Sequence, residues 1–108
     1  MTLAEIFQML SNLTGFKDKV VYRAWAVGSA PALPFICYME TDSDNFNADN
    51  HAYIKRRFVD IELYSKNKDS VSESLIEGAL DANHLPFDKN ETFIDSENCY
   101  QITYTIEA

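Results

Sequence analysis

Apolar residues recur at helical spacing at Leu3, Ile6, Phe7, Leu10 and Leu13, directly after Thr2-Leu3-Ala4-Glu5, which has the form of a capping box. Gly15 then offers a stop, so an amphipathic first helix of about three turns is predicted. The β-branched and aromatic run Val20-Val21-Tyr22-Arg23-Ala24-Trp25-Ala26 reads as a strand, broken by Gly28-Ser29-Ala30-Pro31-Ala32-Leu33-Pro34. Pro34-Phe35-Ile36-Cys37-Tyr38-Met39 is apolar at both parities, as in a central strand covered on both faces.

Farther on, Tyr53 to Tyr64 predicts a long strand with Val59, Ile61 and Leu63 facing inward and Asp60 and Glu62 facing out. After the polar turn Ser65-Lys66-Asn67-Lys68-Asp69, a second capping box at Ser70-Val71-Ser72-Glu73 opens a helix. Its apolar face is Val71, Leu75, Ile76, Ala79 and Leu80, and it runs to Asn83 and His84. Phe87, a polar turn at Asp88-Lys89-Asn90-Glu91 and a short Thr92-Phe93-Ile94 run precede the last strand. There Tyr100, Ile102, Tyr104 and Ile106 share one face and Gln101, Thr103 and Thr105 the other. The expectation is one α+β domain over 1–108: two helices packed on one face of a mostly antiparallel four- to five-stranded sheet, with a long polar loop projecting between the middle strands.

Composition agrees with a folded domain. A chain of 108 residues suffices for one core, and 46% hydrophobic with 13% aromatic residues is far from a disordered composition. A formal charge of −8 disfavours binding to nucleic acid phosphates or anionic lipid, so neither specific nucleic acid nor membrane is expected as a partner. No apolar run reaches the roughly 20 residues of a membrane span, and the N-terminal stretch lacks a signal-peptide pattern. Cys37 and Cys99 stand far apart with no clustered histidines, which suits a reducing cytoplasm better than a zinc or disulfide framework.

The stretch D-S-D-N-F-N-A-D-N-H at 42–51 is the one place that invites a metal reading. An EF-hand loop requires oxygen ligands at positions 1, 3 and 5, glycine at 6 and glutamate at 12. Counted from Asp42, the last three of these fall on Phe46, Asn47 and Tyr53; counted from Asn45, glycine and glutamate are replaced by Asn50 and Arg56. Both registers fail. An irregular calcium site from Asp42, Asp44 and Asp49 is the alternative to a solvated connection, in which Asn and Asp side chains hydrogen-bond to their own backbone.

Nucleophilic catalysis would need Cys37 or Cys99 beside His51 or His84 and an orienting third group; Cys37 instead lies in the most apolar run, where cysteine acts as a small hydrophobe. With three glycines there is no phosphate-cradling loop, and pairs such as Asp60 with Glu62 are unremarkable among 17 acids. The expectation is therefore a protein that is not an enzyme and needs no cofactor or metal. Phe46, an aromatic among polar residues, either tucks onto its own domain or docks on a neighbouring subunit. Trp25 reads as core more than as interface.

Four stretches carry a resemblance: L-P-F-I-C-Y (33–38), N-F-N-A-D (45–49), V-D-I-E-L-Y-S-K-N-K-D (59–69) and F-D-K-N-E-T-F-I-D-S-E (87–97). In this order they resemble the tail completion, or tail terminator, family of long-tailed phages and prophages of Gram-positive bacteria. Cys99 stands where an aliphatic is more usual in that family, and Phe87 and Phe93 where tryptophan is familiar.

The resemblance implies a homo-oligomeric ring, usually a hexamer, that caps the major tail tube protein, ends tail polymerisation and meets the head connector protein. It places the chain in the virion tail and, during assembly, in the host cytoplasm. It assigns the loop at 42–51 to inter-subunit or tube contact; in a ring of this kind Phe46, Asn47 and Asp49 are the candidate contacts, and Arg56 and Arg57 the candidate partners for a neighbour's carboxylates. A head-closure or connector component and a small acidic DNA-mimic inhibitor are the alternatives.

Overall fold

A computed structural model of the chain describes residues 1–41 and 57–108. Its elements follow in the order α1 (Leu3–Ser11), β1 (Val20–Tyr22), β2 (Phe35–Glu40), β3 (Phe58–Ser65), α2 (Ser70–Ala82), β4 (Phe87–Ile94) and β5 (Cys99–Glu107). The five strands form one sheet in the order β1-β2-β3-β5-β4, with β1 parallel to β2 and every other pair antiparallel. This is the α+β fold that the alternation of apolar positions predicts. The projecting loop of that expectation, with the strand start at 53–56, falls outside the described residues.

Strand alternation separates the sheet into two faces, and the register shows which residues share each. Tyr38, Ile61, Tyr104 and Lys89 stand in one rung and point toward the helices; Cys37, Glu62, Thr103 and Asn90 form the adjacent rung and point away. On the helix side, Ile36, Tyr38, Val59, Ile61, Leu63, Ile102, Tyr104 and Ile106 pack with Ile6 and Leu10 of α1 and Ile76 and Leu80 of α2 into one core. Each such aliphatic side chain contributes about 1.5–3 kcal/mol by leaving water, which makes this face the main source of stability. Phe7 against Tyr38 places α1 over β2, and the Tyr104 hydroxyl against Glu77 places α2 over β5.

Four local expectations are corrected. The first helix ends early, at Ser11 with Asn12 as its C-cap, and Gly15, at φ 89°, serves the following turn. The strand expected through Ala26 stops at Tyr22 because Arg23 turns the chain out of the sheet at φ 70°. The cap of α2 is Asp69, whose carboxylate accepts the Ser72 amide at 3.0 Å, so Ser70 is already helical. Val71 is exposed on this helix, while Ser72 and Glu73 are buried. Finally, 88–91 is not a turn: β4 runs unbroken from Phe87 to Ile94, and the reversal lies at 95–98, where Asn98 takes φ 50°. A charged, exposed edge strand looks like a turn in sequence because its polarity reflects solvent on the free side.

Candidate assembly surface

Of the five residues expected at an interface, Phe46, Asn47, Asp49 and Arg56 lie outside the described residues, as do Asp42, Asp44 and His51. Arg57 is half-buried just before β3. Its carbonyl accepts the Ala108 amide at 2.9 Å, and its guanidinium donates through Nη2 to the Met1 carbonyl. Arg57 thus ties residues from both ends of the chain to the start of β3.

The face of the sheet opposite the helices is built differently. Its charged strand residues are Asp60 and Glu62 on β3, Asp88 on β4 and Glu107 on β5, and none of the described strand residues on that face is basic. Neighbours hold Asp60 and Glu62. The Thr105 hydroxyl donates to Asp60 at 2.7 Å, the Tyr64 hydroxyl to Glu62 at 2.9 Å, and Gln101 Nε2 to the Tyr64 oxygen at 3.1 Å. Burial and the adjacent Glu62 carboxylate keep the Tyr64 phenol protonated well above its ordinary range, so it remains a donor.

At one end of this face the acidic ladder gives way to an aromatic groove of about 550 Å³. Its floor is Phe35, Cys37 and Tyr64 with Ile94 and Cys99, and its wall is the connection from β1 to β2, through Arg23, Trp25 and Leu33. A parallel pair needs a crossover; here residues 23–34 supply it without a helix. Trp25 stands edge-on to Phe35 at 6.1 Å, and Phe35 lies 5.3 Å from Tyr64. Trp25 is half-buried rather than core, and its Nε1 is buried with no hydrogen-bond partner among the described residues.

Arg23 begins the wall in an unusual conformation. The Ala24 amide donates to the Tyr22 carbonyl at 2.9 Å, closing a three-residue turn around Arg23 at φ 70°. A γ-turn with a positive central φ is rare and strained for a residue bearing a Cβ. Both thiols of the groove are kept from ionising: burial, helped by Glu62, pushes Cys37 up to about 11, and burial with Glu97 raises Cys99. At neutral pH they are thiols and not nucleophilic thiolates.

A second polar assembly lies on the helix side. Glu73, 4% exposed, is bridged by Lys68 at 2.9 Å and Lys89 at 2.8 Å. Lys89 also reaches Glu77 at 2.8 Å, which accepts the Tyr104 hydroxyl at 2.7 Å, while Lys68 pairs with Glu91. Burial pushes the Glu73 carboxyl upward, but Lys68 and Lys89 outweigh it and hold the group below the usual range. This network clamps α2 to β4. Sequence reasoning missed it; its signal was Glu73 and Glu77 one turn apart on a helix flanked by Lys68 and Lys89.

Among the described residues no group of three His, Cys, Asp or Glu side chains could hold a metal ion, and no helix is long and apolar enough to cross a membrane. No model of a known protein family matches the chain, and no curated protein matches it.

Proposed function

We propose that the chain is a structural protein of a long-tailed phage or prophage: a tail terminator whose copies form a ring on the end of the tail tube, stop its growth and present a surface to the head connector. The observation that carries this reading is the ordered set of four sequence stretches at 33–38, 45–49, 59–69 and 87–97. Three of them fall on structure that defines the sheet, namely the start of β2, all of β3 but its first residue on to the cap of α2, and β4 with the start of its following turn.

The acidic face supports the same reading on physical grounds. DNA passing through a tail channel must not stick to its wall, and carboxylates without cations repel phosphates. Asp60, Glu62 and Asp88 supply such a surface if this face of the sheet lines the lumen. A six-membered ring would multiply the formal charge of −8, so its assembly should tighten as salt screens that repulsion.

The test is the state of the chain incubated with and without tail tubes, read by mass in solution and electron microscopy. Rings at tube ends are the expected result; a monomer at high concentration that leaves tube length unchanged overturns the proposal. Phe46→Ser should weaken ring formation at least tenfold without lowering the melting temperature, and unchanged assembly would remove Phe46 from the interface. Co-purification with a head connector instead of tube would move the chain to the connector side.

The acidic face also favours a second reading, an inhibitor that mimics DNA. Tight, salt-sensitive binding of this chain to a DNA-processing enzyme, abolished by Asp60→Asn with Glu62→Gln, would support it over the ring.

A further inference from the structure

We propose that the free edge of β4 is a docking site for a second copy of this chain, whose own β4 adds to it antiparallel about a twofold axis at Asn90. The inference stands apart from the ring reading: neighbours in a cyclic ring meet through two different patches, whereas this contact joins like to like.

The ladder shows which backbone groups the edge offers. The Thr41 amide donates to the Phe58 carbonyl and the Ala108 amide to the Arg57 carbonyl. Opposite residues of an antiparallel pair alternate between exchanging hydrogen bonds and exchanging none, so even positions of β3 bond to β2 and odd ones to β5. Carried across the register, odd positions of β5 bond to β4 and even positions of β4 bond back. The amides and carbonyls of Phe87, Lys89, Glu91 and Phe93 therefore point outward, where no described strand meets them.

This edge is long and unbroken: it has consecutive pairs with β5 from Phe87 to Ile94, no bulge and no proline, and Asp88 to Phe93 are all exposed. Edges are ordinarily blunted by a proline, a bulge or a free lysine. Its one lysine, Lys89, is drawn back onto Glu73 and Glu77.

The sequence of the strand selects the partner. F-D-K-N-E-T-F at 87–93 is close to palindromic in its chemistry about Asn90. Centred there, the pairing sets Phe87 opposite Phe93, Asp88 opposite Thr92 and Lys89 opposite Glu91, each on both sides of the axis, and brings the outward amides and carbonyls onto one another. Aromatic pairs and opposite charges directly across a strand pair are favourable, and like charges are not. A slip of two residues either way sets Lys89 against Lys89 or Glu91 against Glu91, and a slip of one faces outward groups with inward ones. Phe93, 43% exposed and in contact with Tyr100, then meets Phe87 of the other copy, which stands edge-on to Tyr104. Strands about 4.8 Å apart put the two copies of β5 about 14 Å from each other. Since Glu77 seats α2 over β5, the two copies of α2 clear the roughly 8–10 Å of packed helices.

The experiment reads the register by cysteine cross-linking under mild oxidation in the absence of tail tubes, with the parent chain, whose Cys37 and Cys99 are buried, as background. At the axis Asn90 faces Asn90 as a pair without mutual hydrogen bonds, about 4.5 Å between Cα atoms, which is within disulfide reach. Asn90→Cys should give a covalent dimer at least tenfold faster than the parent. Asp88→Cys and Thr92→Cys should each fail alone and cross-link when mixed. Cross-linking of 88 or 92 with itself, or none at 90, overturns the inference.

Mass in solution gives a second measurement. Glu91→Pro removes an outward amide and leaves the ladder to β5 intact, so it should weaken pairing at least tenfold with circular dichroism unchanged. A parent chain that stays monomeric at every concentration, or pairing untouched by Glu91→Pro, overturns the contact. Rings at tube ends from a chain that never cross-links through position 90 would leave the ring reading standing, and cross-linked dimers that never cap a tube would do the reverse.

Discussion

Ile61 and Glu62 are adjacent on β3 and belong to two different proteins in the physical sense. Ile61 is fully buried under the helices, between Tyr38 and Tyr104, whereas Glu62 looks outward between Cys37 and Thr103 and accepts a hydrogen bond from Tyr64. The helix-covered face is apolar and closed, apart from the Glu73 cluster at its margin. The opposite face is acidic for most of its extent and aromatic at one end, and no helix among the described residues lies over it. One strand thus serves stability with its odd positions and, on the proposed reading, assembly with its even ones.

The largest expected effect breaks this division where it is sharpest. Ile61→Ala removes a buried side chain from a packed core and should cost about 2–5 kcal/mol, enough to lower the melting temperature markedly or unfold the chain. Glu62→Ala, one residue on, should cost about 1 kcal/mol or less and leave the melting curve almost unchanged, with any loss appearing in assembly. Equal destabilisation by the two would mean the faces are not separated in this way.

Next in size is Glu73, the charged residue placed deepest on the closed face. Glu73→Ala should cost about 2–3 kcal/mol, since both Lys68 and Lys89 lose their shared partner. The folded carboxyl is held below its unfolded range, so its stabilisation is present above the unfolded pKa and is lost as pH falls through the folded one. Acid titration of stability should therefore be shallower in Glu73→Gln than in the parent below about pH 4.5. Parallel titration curves would assign the acid sensitivity elsewhere.

A smaller effect separates the two cap assignments that seat α2 on that face. Asp69→Ala should cost about 1 kcal/mol, because the Ser72 amide and hydroxyl lose their acceptor. Ser70→Ala should cost less than half as much, being a substitution within the helix by a better helix former. Reversed values would restore Ser70 as the cap.

The closed face was legible in the sequence and the open one was not, for a physical reason. Burial against helices imposes strict periodicity, so Val59, Ile61, Leu63, Ile102, Tyr104 and Ile106 announced both their strands and their direction. Edge and uncovered positions obey no such rule. Lys89 and Glu91 looked like a turn because nothing local reports that Glu77 of α2 and Lys68 of the turn before it supply their ion partners, 12 and 23 residues away. Asp69 and Ser70 are both good caps, and only the folded position of the Asp69 carboxylate at the Ser72 amide distinguishes them. The groove needed three separate segments, at 23–37, Tyr64 and 94–99, which no single stretch could reveal. Of the residues expected at the interface, only Arg57 has a described place, and that place is a tie between the ends of the chain.

The finest test concerns the thiols, both of which lie on the open face. Burial and Glu62 raise Cys37 to about 11, so its alkylation should be slow at pH 8 and accelerate through the following three pH units. Folding stability carried by the protonated thiol is full below the unfolded pKa and declines between about 9 and 11, so stability should soften in the same alkaline window. Glu62→Gln removes one of the two causes and should speed Cys37 labelling less than tenfold, because burial is the larger. An acceleration of tenfold or more would make the Glu62 carboxylate, and not burial, the main restraint on the thiol.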